Sequence, residues 1–230
     1  MGKIILISGY MCDRTLWQSQ IPVLKKKFIV SVPSLKNYKT INESIKKIAH
    51  KNNKKLSIIG FSMGGFIAIK LAIDFPDMVD KLVLVGTNAR DVSKKRKILL
   101  EKSLNILNEK NYAKLFFKKN YSLYFSDKNL QNKSLQNIVY SMAKKLGYQS
   151  FLNQTNLILK RPNQLKNLNQ IKSKTLIIRG AEDKLSTAMM NKQLNKKIKN
   201  SKYKEVKNSS HFLMLEKPDT FNNIVSNFLY

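Results

Sequence analysis

Three polar side chains have the types and the order of a nucleophile, an acid and a base. Ser62 is the central residue of Gly60-Phe61-Ser62-Met63-Gly64, the G-x-S-x-G pattern that places a serine on a sharp turn between a strand and a helix. Asp183 and then His211 follow along the chain. A histidine can take the proton of such a serine while a carboxylate orients the histidine, so that the serine attacks an acyl carbon. The pattern therefore predicts acyl transfer through a covalent intermediate.

The residues on either side of Ser62 predict the turn that this chemistry needs. Residues 56–59 form a short apolar run, typical of a buried strand, and residues 66–73 continue as a mostly apolar helix. Because the turn is so sharp, side chains at positions 60 and 64 would clash, and glycine is expected at both. A helix that starts directly after Ser62 favours negative charge at that point.

The candidates for base and acid are few. The chain has two histidines, and His50 lies near the end of a predicted helix, whereas His211 lies in the loop after the last predicted strand. Glu182 and Asp91 compete with Asp183 for the role of the acid, and the turn that begins with a glycine three residues earlier favours Asp183. We expect His211 to be the base and Asp183 to orient it.

Backbone amide groups are expected to stabilise the oxyanion that acyl transfer produces. One is the N–H of Met63, the residue after the serine. The second is expected from the loop after the first strand, at Met11, with Tyr10 as the near alternative. Cys12 in the same loop has no obvious nearby base, so we interpret it as a packing residue and not as a nucleophile.

Strand and helix patterns alternate along the chain, which predicts an α/β fold with a mostly parallel sheet and helices on both faces. In such a sheet, the loops at the carboxyl ends of the strands converge on one crevice. Ser62, Asp183 and His211 each follow a predicted strand and are therefore expected to meet there. The predicted strands are residues 3–8, 28–32, 56–60, 81–86, 175–179 and 202–206.

The pattern changes between the fourth and fifth strands, where no strand-like run occurs. We predict a helical cap over residues 88–166, inserted into a core formed by residues 1–87 and 167–230. A helical hairpin that does not contact the site is the alternative. The helices expected in the cap are residues 93–109, 112–121, 127–146 and 148–160.

The cap is expected to shape a substrate pocket. The predicted apolar walls are Trp17, Phe61, Phe151 and Leu185. Two of the five arginines of the chain flank the cap, and either of them is a candidate to hold a substrate carboxylate, with a structural ion pair as the alternative. These arginines are Arg90 and Arg161.

The formal net charge of +29 is the most unusual bulk property of this 230-residue chain. Its 43 basic residues include only five arginines, and the lysines are spread over the whole sequence. A nucleic-acid-binding protein would more often concentrate its charge and interleave aromatic residues. We attribute the excess of Lys, Asn and Ile to their A/T-rich codons and expect no specific nucleic-acid partner.

Composition also bears on the compartment. A single cysteine excludes an intramolecular disulfide and favours a cytoplasmic location. The amino-terminal apolar run is too short for a secretory signal, and no stretch of about 18 apolar residues predicts a membrane span.

Several motifs together resemble the α/β-hydrolase superfamily: residues 60–65 (Gly-Phe-Ser-Met-Gly-Gly), Gly180-x-x-Asp183, Ser210-His211 and Glu216-Lys217-Pro218. The resemblance covers essentially the whole chain and is stronger in the core than in the cap. It implies the ordered triad Ser62, Asp183 and His211, and hydrolysis without a metal or organic cofactor.

Two further segments, Ser8-Gly9-Tyr10-Met11-Cys12-Asp13 and Gly86-Thr87-Asn88-Ala89-Arg90, resemble the small carboxylesterase and enol-lactonase-like branch of that superfamily. The chain departs from the usual pattern by carrying Ser8 where a histidine is common and Ser210 where a glycine is common. A serine at position 62, instead of an aspartate, argues against the related dehalogenases and epoxide hydrolases.

The sequence therefore predicts a serine hydrolase that cleaves a small soluble ester, thioester or lactone. The same triad also supports hydrolysis of carbon–carbon bonds or acyl transfer to an acceptor other than water. A non-catalytic ligand receptor and a basic nucleic-acid or membrane-surface binder are alternatives of other classes. The oligomeric state is left open.

Overall fold

The computed structural model describes residues 1–50 and 55–230, and all of their side chains except those of residues 117–119. Within these residues, one six-stranded sheet forms the centre of the molecule, and every pair of neighbouring strands is parallel. The strands are β1 (Gly2–Ile7), β2 (Phe28–Ser31), β3 (Leu56–Phe61), β4 (Val79–Val85), β5 (Lys174–Gly180) and β6 (Ser201–Val206), in the spatial order β2-β1-β3-β4-β5-β6.

The four inner strands, β1, β3, β4 and β5, are largely apolar on both faces because both faces of the sheet are covered there. Along β1, Ile4 and Leu6 belong to one hydrophobic cluster, and Ile5 and Ile7 belong to a second cluster on the other side. β3, near the middle of the sheet, is buried at all six positions. This is the pattern of a parallel sheet between two layers of helices, and it confirms the predicted fold class.

The helices connect the strands and enclose the sheet. They are α1 (Ile21–Leu24), α2 (Ile41–His50), α3 (Met63–Asp74), α4 (Lys94–Ile106), α5 (Tyr112–Tyr124), α6 (Lys133–Leu146), α7 (Tyr148–Leu159), α8 (Ala188–Lys197), α9 (Leu213–Glu216) and α10 (Pro218–Leu229). Short 3₁₀ turns occur at Arg14–Trp17, Asp127–Asn129 and Leu168–Gln170. None of the helices in the described ranges is long and apolar enough to cross a membrane.

One predicted helix was placed too early. Residues 127–146 were expected to form a continuous helix, but the segment begins with a 3₁₀ turn and α6 starts at Lys133. The reason is a cap: the side chain of Asn132 accepts a hydrogen bond from the Leu135 N–H. An asparagine in this position satisfies a helix-terminal amide and thereby fixes the first turn.

Helices α4 to α7 lie between β4 and β5, where the inserted helices were predicted. Their apolar residues do not form a core of their own. Phe116, Val139 and Phe151 belong to the same hydrophobic cluster as Met11 of the loop after β1 and Phe212 of the loop after β6. The four helices therefore pack directly on the carboxyl edge of the sheet. The division at residues 88 and 166 remains a prediction.

Candidate active site

Ser62 occupies the tight turn between β3 and α3 that the sequence predicts. Its backbone dihedrals are φ 52° and ψ −114°, a region that residues with a side chain rarely adopt. A Cβ on Gly60 would lie 2.7 Å from the carbonyl oxygen of Gly64, so the expected clash is present. The Ser62 N–H donates to the Val85 carbonyl at 2.9 Å, and the Thr87 hydroxyl donates to the Ser62 carbonyl at 2.7 Å. These bonds hold the strained turn to β4 and the loop after it.

The structure brings Ser62, His211 and Asp183 together in one hydrogen-bonded row. Ser62 Oγ lies 3.0 Å from His211 Nε2, and His211 Nδ1 lies 2.9 Å from Asp183 Oδ2. The histidine and the aspartate are buried, whereas the serine is partly open. When Nδ1–H donates to the carboxylate, Nε2 is free to accept the serine proton. The row therefore has the geometry of a nucleophile, its base and an orienting acid.

The loop after β5 holds Asp183 in place through its second carboxylate oxygen. Oδ1 accepts the backbone N–H groups of Leu185 at 2.8 Å and Ser186 at 2.9 Å, which leaves Oδ2 for the histidine. The competing acid Glu182 instead accepts the N–H of Asp127 at 3.0 Å. Of the two neighbouring acids, only Asp183 contacts the histidine within the described part of the chain.

A second carboxylate, that of Glu216 in α9, connects the histidine loop to the inserted helices. Its Oε1 accepts the Ser210 N–H at 2.7 Å, directly before His211. Its Oε2 accepts the N–H of Ser126 and the Nδ2–H of Asn129, both at 2.9 Å. The sequence analysis includes Glu216 only as part of a motif and assigns it no role, because Ser126 and Asn129 lie about 90 residues away along the chain.

One of the two predicted oxyanion donors needs correction. The Met63 N–H, at the first residue of α3, has no acceptor among the described residues. The Met11 N–H, in contrast, donates to Gln154 Oε1 at 2.8 Å, and Met11 does not line the cavity around Ser62. Met11 has a positive φ of 54°, and its amide is directed at α7. Tyr10 lines the cavity, and its N–H has no acceptor in the described ranges, so Tyr10 replaces Met11 as the candidate second donor.

Helix α7 holds the loop that carries Tyr10. Besides the bond from Met11 to Gln154, the Tyr10 hydroxyl lies 2.6 Å from Thr155 Oγ1. Both contacts join residues more than 140 positions apart, so no local sequence pattern could have indicated them. Two adjacent side chains of an inserted helix thus fix two adjacent residues of the candidate oxyanion loop.

Replacing Gln154 with leucine is expected to lower kcat about tenfold and to change KM little. The variant leaves the buried Met11 N–H without an acceptor, which costs roughly 1–3 kcal/mol and releases the loop. Steady-state kinetics on any acyl compound that the wild type is found to turn over, together with thermal unfolding, measures both effects. Gln149→Leu is the matched control, since Gln149 is exposed on the same helix and its side chain bonds, among the described residues, only to Asn153. Equal kinetic changes in the two variants would contradict a positioning role for Gln154.

A cavity of about 570 Å³ opens at Ser62. Two of the four predicted apolar walls, Phe61 and Leu185, line it. The inserted helices contribute as well, which excludes a hairpin remote from the site. The further apolar or aromatic lining residues are Tyr10, Met63, Val92, Phe116, Tyr124, Val139, Ile158, Met190 and Phe212.

The other two predicted walls, Trp17 and Phe151, do not line the cavity. Trp17 is fully buried, and its indole N–H donates to Ser8 Oγ at 3.0 Å. Phe151 is fully buried behind Tyr10, with ring centroids 6.3 Å apart. Large aromatic side chains contribute much of the packing of a hydrophobic core. Trp17 and Phe151 both belong to the core beneath the cavity and not to its surface.

Both predicted arginines line the cavity, and neither forms an ion pair within residues 1–50 and 55–230. Arg90 Nε donates to Gln193 Oε1 at 2.9 Å. Arg161 Nη2 makes only long contacts, at 3.5 Å to Asn88 Oδ1 and at 3.4 Å to the Asp91 carbonyl. A third arginine of the lining, Arg96 in the first turn of α4, was not predicted, because nothing in the helical pattern marks it.

The remaining reactive residues have structural places. Cys12 is buried, and burial, followed by the charge of Asp13, raises the pKa of its thiol. A thiol of this kind is a poor nucleophile, which agrees with the interpretation of Cys12 as a packing residue. His50 is exposed at the end of α2, with Nδ1 2.8 Å from the Lys46 carbonyl. In the described ranges no group of three His, Cys, Asp or Glu side chains could hold a metal ion.

Comparison with known proteins agrees with this geometry. A family model described as alpha/beta hydrolase fold matches residues 30–218. The pimeloyl-(acyl-carrier protein) methyl ester esterase of Legionella pneumophila (strain Paris) is 32% identical over 39% of this chain and 40% of its own length. The chain spans 38% to 64% of the length of the first curated relatives it matches.

Two solved structures share the fold over the whole chain. A thermophilic esterase from Thermogutta terrifontis has a TM-score of 0.90 at 19% identity and covers 100% of this chain and 89% of its own. The enol-lactonase from Burkholderia xenovorans LB400 has a TM-score of 0.87 at 19% identity, with 100% and 92% covered. These structures share the fold, and because the family model covers most of the chain, the chain belongs to the α/β-hydrolase family.

Proposed function

We propose that this protein is a serine hydrolase that cleaves a small carboxylic ester, thioester or lactone through an acyl-enzyme. The observation that carries the proposal is the unbroken row from Ser62 Oγ to His211 at 3.0 Å and from His211 to Asp183 at 2.9 Å. The family to which the chain belongs supports it, as do relatives whose names describe esterases.

Each residue has one task in the proposed reaction. His211 Nε2 takes the hydroxyl proton of Ser62 as Oγ attacks the carbonyl carbon, and it then gives the proton to the departing alcohol, thiol or lactone oxygen. Water attacks the acyl-enzyme in the second half-reaction, with His211 again accepting and returning a proton. Asp183 stabilises the imidazolium in both steps.

The amides of Met63 and Tyr10 are proposed to bind the oxyanion that forms twice in this cycle. Both N–H groups have no acceptor among the described residues, so a developing negative charge meets donors that do not first have to break a bond. The amino terminus of α3 adds its partial positive charge at the same point. The inserted helices close the cavity above Ser62 and are proposed to act as its cap.

The proposal is tested by labelling the purified protein with a fluorophosphonate and measuring the mass of the intact protein by mass spectrometry. We expect the wild type to gain one phosphonyl group and Ser62→Ala to gain none. Ser141→Ala, which removes an exposed serine of α6, is the matched control and should label like the wild type. Absence of label on folded wild type, or retained label on Ser62→Ala, contradicts the proposal.

Product analysis on a panel of esters, thioesters, lactones and β-diketones then separates the possible reactions of an activated serine. Cleavage of a carbon–oxygen or carbon–sulfur bond with release of the free acid is the expected result. If only the β-diketone is cleaved, the reaction is hydrolysis of a carbon–carbon bond and not of an ester. If the acyl group is transferred only to an added alcohol, the protein is an acyltransferase.

A further inference from the structure

On the basis of the proposed hydrolase activity, we propose that the cavity contains an anion subsite, formed by Arg161 with Arg96 and Arg90, that binds a free carboxylate of the substrate. The preferred substrate would then be an ester, thioester or lactone with a second, unesterified carboxylate. Three of the five arginines of the chain line this one cavity, together with Ser62.

Arg161 is the centre of the proposed subsite because its guanidinium forms no ion pair in the described part of the chain. Its Nε is buried and has no hydrogen-bond partner there. Its Nη2 contacts are long, and its guanidinium lies over the ring of Phe66 at 5.2 Å. A buried donor of this kind is costly unless a ligand completes it.

The pKa of Arg161 also indicates that the charge of its guanidinium is poorly stabilised. Burial, and after it the charge of Arg96, lowers the pKa of Arg161 to about 10. The guanidinium therefore remains charged at neutral pH but is destabilised by its surroundings. An anion in contact with it would relieve both effects, since it supplies an opposite charge and hydrogen-bond acceptors.

The rest of the lining is also positive. Lys94 and Lys184 line the cavity with the three arginines, and within the described part of the chain Asp91 is the one acidic residue of the lining. The Asp91 carboxylate accepts the side-chain amide of Asn163 at 3.1 Å and forms no ion pair with Arg161 among the described residues, so its charge offsets only part of the positive charge around it. Ser93 and Lys94 also line the cavity, so the amino terminus of α4 adds its partial positive charge.

A carboxylate fits this group of donors better than a neutral group does. The planar guanidinium presents paired N–H donors that match the two oxygens of a carboxylate, and such charge-assisted bonds are about twice as strong as neutral ones. A cavity of about 570 Å³ has room for one molecule that contacts both Ser62 and Arg161. The subsite would thus select the substrate by its far end, while the triad acts on its acyl carbon.

The test compares two p-nitrophenyl esters with acyl chains of equal length, one ending in a carboxylate and the other in a methyl ester. We expect wild type to prefer the carboxylate ester by at least about 30-fold in kcat/KM, and Arg161→Gln to reduce that preference at least tenfold. Arg14→Gln, which removes an exposed arginine outside the cavity, is the matched control and should retain the preference. A wild type that cleaves both esters equally well, or a preference unchanged in Arg161→Gln, overturns the subsite.

A binding measurement keeps failure of the subsite distinct from failure of the hydrolase proposal. Isothermal titration of Ser62→Ala with glutarate, its neutral dimethyl ester and methyl phosphate requires no turnover. Glutarate binding that is lost in Ser62→Ala/Arg161→Gln supports the subsite even if no ester is cleaved. Tighter binding of methyl phosphate than of glutarate overturns the carboxylate assignment, and equal binding of glutarate and its dimethyl ester overturns the anion subsite altogether.

Discussion

Replacement of His211 with alanine is expected to lower kcat about 10⁵- to 10⁶-fold, the size of loss that follows removal of the base from a serine triad. Ser62 Oγ–H has its hydrogen-bond acceptor 3.0 Å away at His211 Nε2. Without that acceptor, the hydroxyl keeps its proton and is a weak nucleophile. Hydrolysis of the best ester from the panel, followed at saturating concentration, measures the loss.

The chain offers a matched control, because its other histidine lies outside the site. His50 is exposed, and the contact it makes within residues 1–50 and 55–230 is to the Lys46 carbonyl of its own helix. His50→Ala should therefore retain wild-type kcat within about twofold, in keeping with the small effects of surface substitutions. A comparable loss in both variants, or less than a hundredfold loss in a folded His211→Ala, would remove His211 from the role of the base.

Replacement of Asp183 with asparagine is expected to lower kcat about 10⁴-fold while the protein stays folded. Asparagine Oδ1 can still accept the N–H groups of Leu185 and Ser186, which wild type bonds at 2.8 and 2.9 Å. Its NH₂ group would then face His211 Nδ1 and force the ring into the tautomer with its proton on Nε2. In that tautomer His211 cannot accept the serine proton.

The control for this variant is the neighbouring acid. Glu182→Gln removes a carboxylate one position away, and Glu182 contacts the Asp127 N–H and not the histidine. Its kcat should stay within about threefold of wild type. Thermal unfolding of both variants adds a second readout, because a tautomer defect in Asp183→Asn lowers kcat without lowering the melting temperature, whereas a folding defect lowers both. Equal losses in the two variants would reject the assignment of Asp183.

The parts of the site that follow from local chemistry were predictable from the sequence. Ser62 could be placed because the glycines around it fit only a tight strand-to-helix turn. Asp183 and His211 could be placed because each follows a strand of a parallel sheet, and the topology then brings both to the same edge. These inferences need residue types, their order and the rule for parallel connections, and no side-chain coordinates.

The parts that depend on packing between distant segments were not predictable. Met11 was chosen as the second oxyanion donor because the sequence cannot show that Gln154 lies above it and accepts its N–H. Trp17 and Phe151 were chosen as walls because size and apolar character do not distinguish a cavity surface from the layer behind it. Arg96 was overlooked because the sequence does not show that the first turn of α4 lines the cavity. The placement of Met11 and of Arg96 depends on segments far along the chain, and the placement of Trp17 and Phe151 depends on how the surrounding core packs.

The shared carboxylate of Glu216 has a mechanical consequence. Because one side chain accepts hydrogen bonds both from Ser210, next to His211, and from Ser126 and Asn129 of the inserted segment, moving that segment outward must break bonds that brace the histidine loop. Any outward movement of the inserted segment would therefore be coupled in free energy to loosening of the loop that carries the base. The site would then be complete only while these hydrogen bonds are intact.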